Sequence, residues 1–129
     1  MTNIDAEEAR GRLLRLLSVE GVTGAEAAIG REIVAALRQA GVAGGRIGFD
    51  AAQTRIALPT ETGNLIVDLP GRGRQAAEPR LLFMTHMDTV PLAAGARPRK
   101  VGERIQNDSR SALGGDNRTG CAVLVTLAA

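Results

Sequence analysis

A chain of 129 residues, 44% hydrophobic and 23% charged, has the proportions of one ordinary folded domain. Aromatic residues make up only 2%, with neither Trp nor Tyr, so the core must be aliphatic and a base-stacking platform for nucleic acid is not expected. A net charge of +2 leaves no polyanion footprint. The amino-terminal MTNIDAEEAR is polar and acidic where a leader would be basic and then apolar. No stretch approaches the roughly 20 apolar residues that cross a bilayer, so the expected location is cytoplasmic, with neither membrane nor nucleic acid as partner.

From residue 5 to 17, Ala6, Ala9, Leu13, Leu16 and Leu17 recur at the three-four spacing of a helix with one buried face, which should stop between Ser18 and Gly21. Thr23 with Glu26 three residues later resembles a capping box opening a second helix, in which Ile29, Ile33, Ala36, Leu37 and Ala40 form the buried stripe. Gly41 is placed to end it. The period then changes: Ile47 and Phe49, Ile56 and Leu58, and NLIVDLP at 64–70 read as strands, with a turn over 59–63. Residues 71–79 read as a loop with solvated arginines. Helices, strands, a fully apolar strand and a last helix predict an α/β architecture, a mixed central sheet with helices on both faces.

The segment LLFMTHMDTV at 81–90 is the most informative. Four consecutive apolar residues predict a strand covered on both faces, and ligands in such sheets gather beyond the carboxyl ends of the strands. His86 and Asp88 are two apart, so in extended chain they project to one side. The carboxylate can then hold one imidazole nitrogen while the other binds a metal. The plainer alternative is a histidine that hydrogen-bonds to Asp88 and does nothing more. In GGDNRTG at 114–120, Asp116 lies on a glycine-rich turn before a helical stripe of Cys121, Leu124, Val125 and Ala128. Alone, that carboxylate reads as a helix cap. Arg118 reads as a solvated residue of the helix start. Cys121, the single cysteine, fits a reducing compartment and a packing role.

HMDTV followed thirty residues later by GGDNRTG, with NLIVDLPG at 64–71 ahead of them, resembles the co-catalytic zinc exopeptidases and deacylases. That family includes tripeptidase T, acetylornithine deacetylase, succinyl-diaminopimelate desuccinylase and glutamate carboxypeptidase, and the resemblance is closest to the tripeptidase-T-like branch. It implies that His86 is a ligand of one zinc and that Asp88 is the carboxylate of the catalytic machinery that orients it. Asp116 would bridge two zinc ions through a peptide to Asn117 that is often cis. Residues 96–106 would be the family's variable connection. Asn117 stands where many members carry a second acid.

The family's adjacent Glu-Glu pair, its further acidic ligand and its second histidine have no counterpart here. The resemblance therefore implies that residues 1–129 are the amino-terminal portion of an incomplete catalytic domain, ending inside a helix. The expected parent reaction is zinc-assisted hydrolysis of a peptide or acylated amino acid in a tripeptide-aminopeptidase-like manner, by a parent that forms a homodimer. The chain alone is expected to bind metal weakly and to turn nothing over. The other readings are a non-catalytic interaction domain on the same fold, and a different hydrolase using the His-x-Asp pair.

Overall fold

The computed structural model describes residues 4–71 and 73–129; Met1 to Asn3 of the amino-terminal segment, and Arg72 of the loop, lie outside the described residues. Helix α1 (Ala6–Ser18) forms where the spacing predicts. Asp5 caps it, its carboxylate accepting the amides of Glu7 and Glu8 at 2.9 and 3.1 Å. Helix α2 (Ala27–Gln39) buries Ile29, Ile33, Ala36 and Leu37, while Ala40 is half-buried at its end. Gly41 follows at φ +90°, the left-handed conformation that makes glycine the residue of choice at a helix terminus. Helix α3 (Gly115–Ala128) packs on both, and its Cys121, Ala122 and Val125 join Leu16, Ile29, Ile33, Leu37 and Val42 in one core. Among the described residues no helix is long and apolar enough to cross a membrane.

The α/β character is as expected, and the strand component consists of two short antiparallel ladders. Strand β1 (Ile47–Phe49) pairs with β2 (Leu65–Val67), Ile47 facing Val67 and Phe49 facing Leu65. Ile47, Leu65 and Val67 pack against the helical core, which is why the alternation was visible in the sequence. Between them, Ile56 and Leu58 are exposed and form no strand, contrary to expectation. The cause is Asp50, whose carboxylate accepts the amides of Ala52 and Asn64 at 3.0 and 2.8 Å. It pins the excursion shut at its base and leaves those apolar residues in a loop with no neighbouring strand.

A hairpin of β3 (Pro98–Val101) and β4 (Arg104–Asn107) occupies the stretch read as a variable connection. Its signal was present: two runs separated by two residues, the first of them Gly102 at φ +59°. The expected capping box is also absent. The side chain of Glu26 accepts the Gly24 amide, Ala27 at the start of α2 is instead capped by Glu61 at 2.8 Å, and Thr23 turns elsewhere.

The largest departure is at 81–84. No strand forms there, and Leu81, Leu82, Phe83 and Met84 are 82, 82, 63 and 80% exposed. A strand needs partners along its edges for its backbone groups, and neither ladder includes this segment. The pattern is that of a covered strand without the cover. Ile29→Ala, at a fully buried site, should therefore cost about 2–5 kcal/mol in urea denaturation. Leu81→Ser should stay within about 0.5 kcal/mol of the parent; a loss comparable to Ile29→Ala would mean the segment is packed after all.

Candidate metal centre

Beyond Met84 the chain is tied down. Thr89 forms a parallel bridge with Val22: its amide donates to the Gly21 carbonyl at 2.9 Å, and its own carbonyl accepts the Thr23 amide at 3.0 Å. The bridge fixes His86 and Asp88 just before it. Asp88 Oδ1 lies 3.0 Å from His86 Nδ1, and Asp88 Oδ2 accepts a hydrogen bond from Thr23 Oγ1 at 2.5 Å. The other imidazole nitrogen, Nε2, faces Asp116 Oδ1 at 3.1 Å. The three side chains singled out in the sequence thus meet across thirty residues of chain. Thr23 was missed because its spacing to Glu26 matched a cap.

The start of α3 explains how Asp116 comes to be available. The Asp116–Asn117 peptide is cis, as the resemblance implies, and both residues are non-helical, so the helix proper begins at Arg118. Asn117 then stands in the capping position, its Oδ1 accepting the Gly120 amide at 2.9 Å. The cap read for Asp116 belongs to its neighbour, and the Asp116 carboxylate is left facing the imidazole. Gly120 is required: a Cβ there would stand 2.6 Å from Asn117 Oδ1 and collide with Thr85 Oγ1.

Arg118, expected in solvent, is 2% exposed. Its Nη2 donates to the carbonyls of Val19 and Gly21 at 3.2 and 3.4 Å, and no carboxylate among the described residues pairs with it. Nη1 has no partner, and the side chain borders a cavity of about 10 Å³, room for one water. Cys121 packs as expected, and its Sγ lies 3.3 Å from the His86 carbonyl. Burial pushes the thiol up, which keeps it neutral and unsuited to nucleophilic work.

Burial of the imidazole disfavours its charged form, but the hydrogen bonds its ring N–H groups donate to Asp116 and Asp88 outweigh it and raise His86 above its ordinary 6.5. For Asp88, burial acts upward, and the Thr23 and His86 hydrogen bonds overcome it to hold the carboxyl below the usual range.

Imidazole nitrogen and carboxylate oxygen are donors that zinc accepts, and two ligand atoms on one tetrahedral zinc stand about 3.4 Å apart. The 3.1 Å between Nε2 and Oδ1 is close to that separation. Asp88 sits on the opposite nitrogen, so it supports the ring and is not aimed at the same point. Accordingly, no group of three or more His, Cys, Asp or Glu residues is placed to hold a metal among the described residues.

An α/β unit with this helix start and this His-x-Asp turn has the architecture of a peptidase domain in part. Aminopeptidase PepT from Bacillus cereus ATCC 10987 matches it with a TM-score of 0.82 and 26% identity, over 97% of this chain and 32% of its own. A tripeptidase from Staphylococcus aureus subsp. aureus Mu50 shares the fold with a TM-score of 0.79 and 23% identity, over the same shares. The chain thus spans about a third of the length of these structures and is built like part of a tripeptidase-T-like enzyme. No protein-family model matches it, and no curated protein matches it in sequence.

With one histidine in the chain, its ring resonances are unambiguous. In metal-free protein their titration should give a value above 6.5. A raised histidine stabilises the fold fully below its unfolded value and loses that contribution as pH climbs through the folded one. Asp88 contributes above its unfolded value and loses its share as pH falls through its lowered one. The urea midpoint should therefore drop as pH rises from 6.5 through the raised folded value of His86, and His86→Gln should remove that slope. The cap is tested separately: Asn117→Ala should cost about 0.5–2 kcal/mol, while Asp116→Ala should leave the helix start intact.

Proposed function

We propose that this chain is the amino-terminal portion of the catalytic domain of a two-zinc exopeptidase, cleaving peptide bonds next to a free amino terminus in the manner of a tripeptide aminopeptidase. The observation that carries the reading is the meeting of His86 Nε2 and Asp116 Oδ1 at 3.1 Å, with the competing tasks of both groups taken by neighbours: Asp88 holds Nδ1, and Asn117 caps the helix. Free of capping work, Asp116 keeps Oδ2 without a protein hydrogen bond among the described residues, available to a second ion.

In this reading His86 and Asp116 hold the metal. Zinc bound there would supply Lewis acidity, polarising the scissile carbonyl and making water a competent nucleophile near neutral pH. Asp88 keeps a proton on Nδ1, so that Nε2 presents its lone pair, and Thr23 fixes Asp88 in turn. Two protein donors leave a tetrahedral zinc short of ligands, and no glutamate stands beside the pair to serve as base. The reading places this chain in a longer enzyme, expected to be a cytoplasmic homodimer acting on peptides or acylated amino acids.

A second reading, a non-catalytic interaction domain on the same fold, is favoured by the exposed Leu81–Met84 run. Zinc titrated calorimetrically into the metal-free chain separates the two. The enzyme reading expects weak binding that His86→Gln or Asp116→Asn abolishes and Asp88→Asn weakens about 10–100-fold, with no hydrolysis of a tripeptide by the zinc-loaded chain. Binding indifferent to all three substitutions would leave the interaction domain standing.

A further inference from the structure

The buried guanidinium of Arg118 pairs with no carboxylate among the described residues and hydrogen-bonds to neither His86 nor Asp88, yet a closed circuit of contacts joins it to both. Arg118 Nη2 reaches the carbonyl of Gly21, which also accepts the Thr89 amide at 2.9 Å and lies 3.4 Å from the Thr89 hydroxyl. The Thr89 carbonyl receives the Thr23 amide, and the Thr23 hydroxyl holds Asp88 at 2.5 Å. Asp88 holds one nitrogen of His86, and the other faces Asp116, two residues before Arg118. The circuit starts and ends on the first turn of one helix.

Burying an unpaired charge is expensive, and an apolar side chain of the same volume commonly serves stability as well or better. A buried arginine with no counter-ion is therefore poorly explained as a stabiliser. Its geometry is better explained: one guanidinium nitrogen, Nη2, carries two N–H groups and reaches the carbonyls of both Val19 and Gly21 in one turn. Gly21 is fitted to both Ile29 and this guanidinium, since a Cβ there would collide with Ile29 Cγ2 and stand 2.8 Å from Nη2. Thr89, Gly21 and Arg118 are all buried, so the turn cannot shift without disturbing the core.

We propose that Arg118 is a positioning residue for the metal centre: by clamping the Val19–Gly21 carbonyls it sets Thr89 and Thr23, and through Asp88 it fixes the tautomer and aim of the His86 ring. Its bearing on metal binding rests on the peptidase reading; its bearing on the imidazole does not. The test uses the metal-free 129-residue chain above the titration range of His86, where nitrogen-proton correlation spectra of the only imidazole report which nitrogen carries the proton. Wild type should show the Nδ1–H form. Arg118→Met and Thr23→Val should both release the ring toward the Nε2–H form, and Thr23→Ser should restore it. The two disruptive variants should also lower zinc affinity about 10-fold or more.

Should Arg118→Met fail to fold, Arg118→Lys, whose shorter side chain keeps the charge without the guanidinium that reaches both carbonyls, takes its place and should shift the tautomer in the same direction. An unchanged tautomer in a folded Arg118 variant, or in Thr23→Val, overturns the proposal. No zinc binding by the wild type, together with the tautomer shift in the variants, would remove the peptidase reading and leave the clamp supported.

Discussion

The centre depends on a division of work among three consecutive residues. A helix start has free amides that need a side-chain acceptor, and a carboxylate beside such a start is normally drawn into that task. Here Asn117 takes it, binding the Gly120 amide. Asp116 is then free to face His86, and Arg118, whose charge is unfavourable at the positive end of a helix, turns inward to two backbone carbonyls. With Asp116 as the cap, its oxygens would lie over the helix amides and the imidazole would have one carboxylate instead of two. The departure from a second acid at position 117 is thus coherent: an amide oxygen caps as well as a carboxylate does, without adding a charge beside the pair.

What the sequence made legible follows from where each signal originates. The three helices announced themselves because their apolar spacing records burial against one another, and Gly41 because its conformation is local. His86, Asp88 and Asp116 were legible as residue types at a spacing, and they converge. Thr23 and Arg118 were not, for a common reason. Their partners lie 65 and 97 to 99 residues away, and a local reading existed for each: a capping box for one, a solvated helix start for the other. Local chemistry lost to contacts that only the folded chain creates. The hairpin at 98–107 is different, since its two-residue Gly-Glu turn was readable and was passed over as a connection.

The exposed run at 81–84 and the open His86–Asp116 pair lie close together on the chain. Full burial of four side chains such as Leu81, Leu82, Phe83 and Met84 contributes about 1.5–3 kcal/mol each. Their sum rivals the roughly 5–15 kcal/mol that holds a whole domain together. A run of such residues is written for cover on both of its faces. The centre at its carboxyl end feels the same exposure: Asp116 is almost wholly open and His86 about half open. Charges in that setting interact through the dielectric of water, where a unit pair about 4 Å apart is worth about 1 kcal/mol, against about 4 at the effective dielectric of 20 near a protein surface. Covering the strand would therefore do two things through one contact. It would supply the missing apolar burial, and it would bring His86 and Asp116 into surroundings where charges interact more strongly.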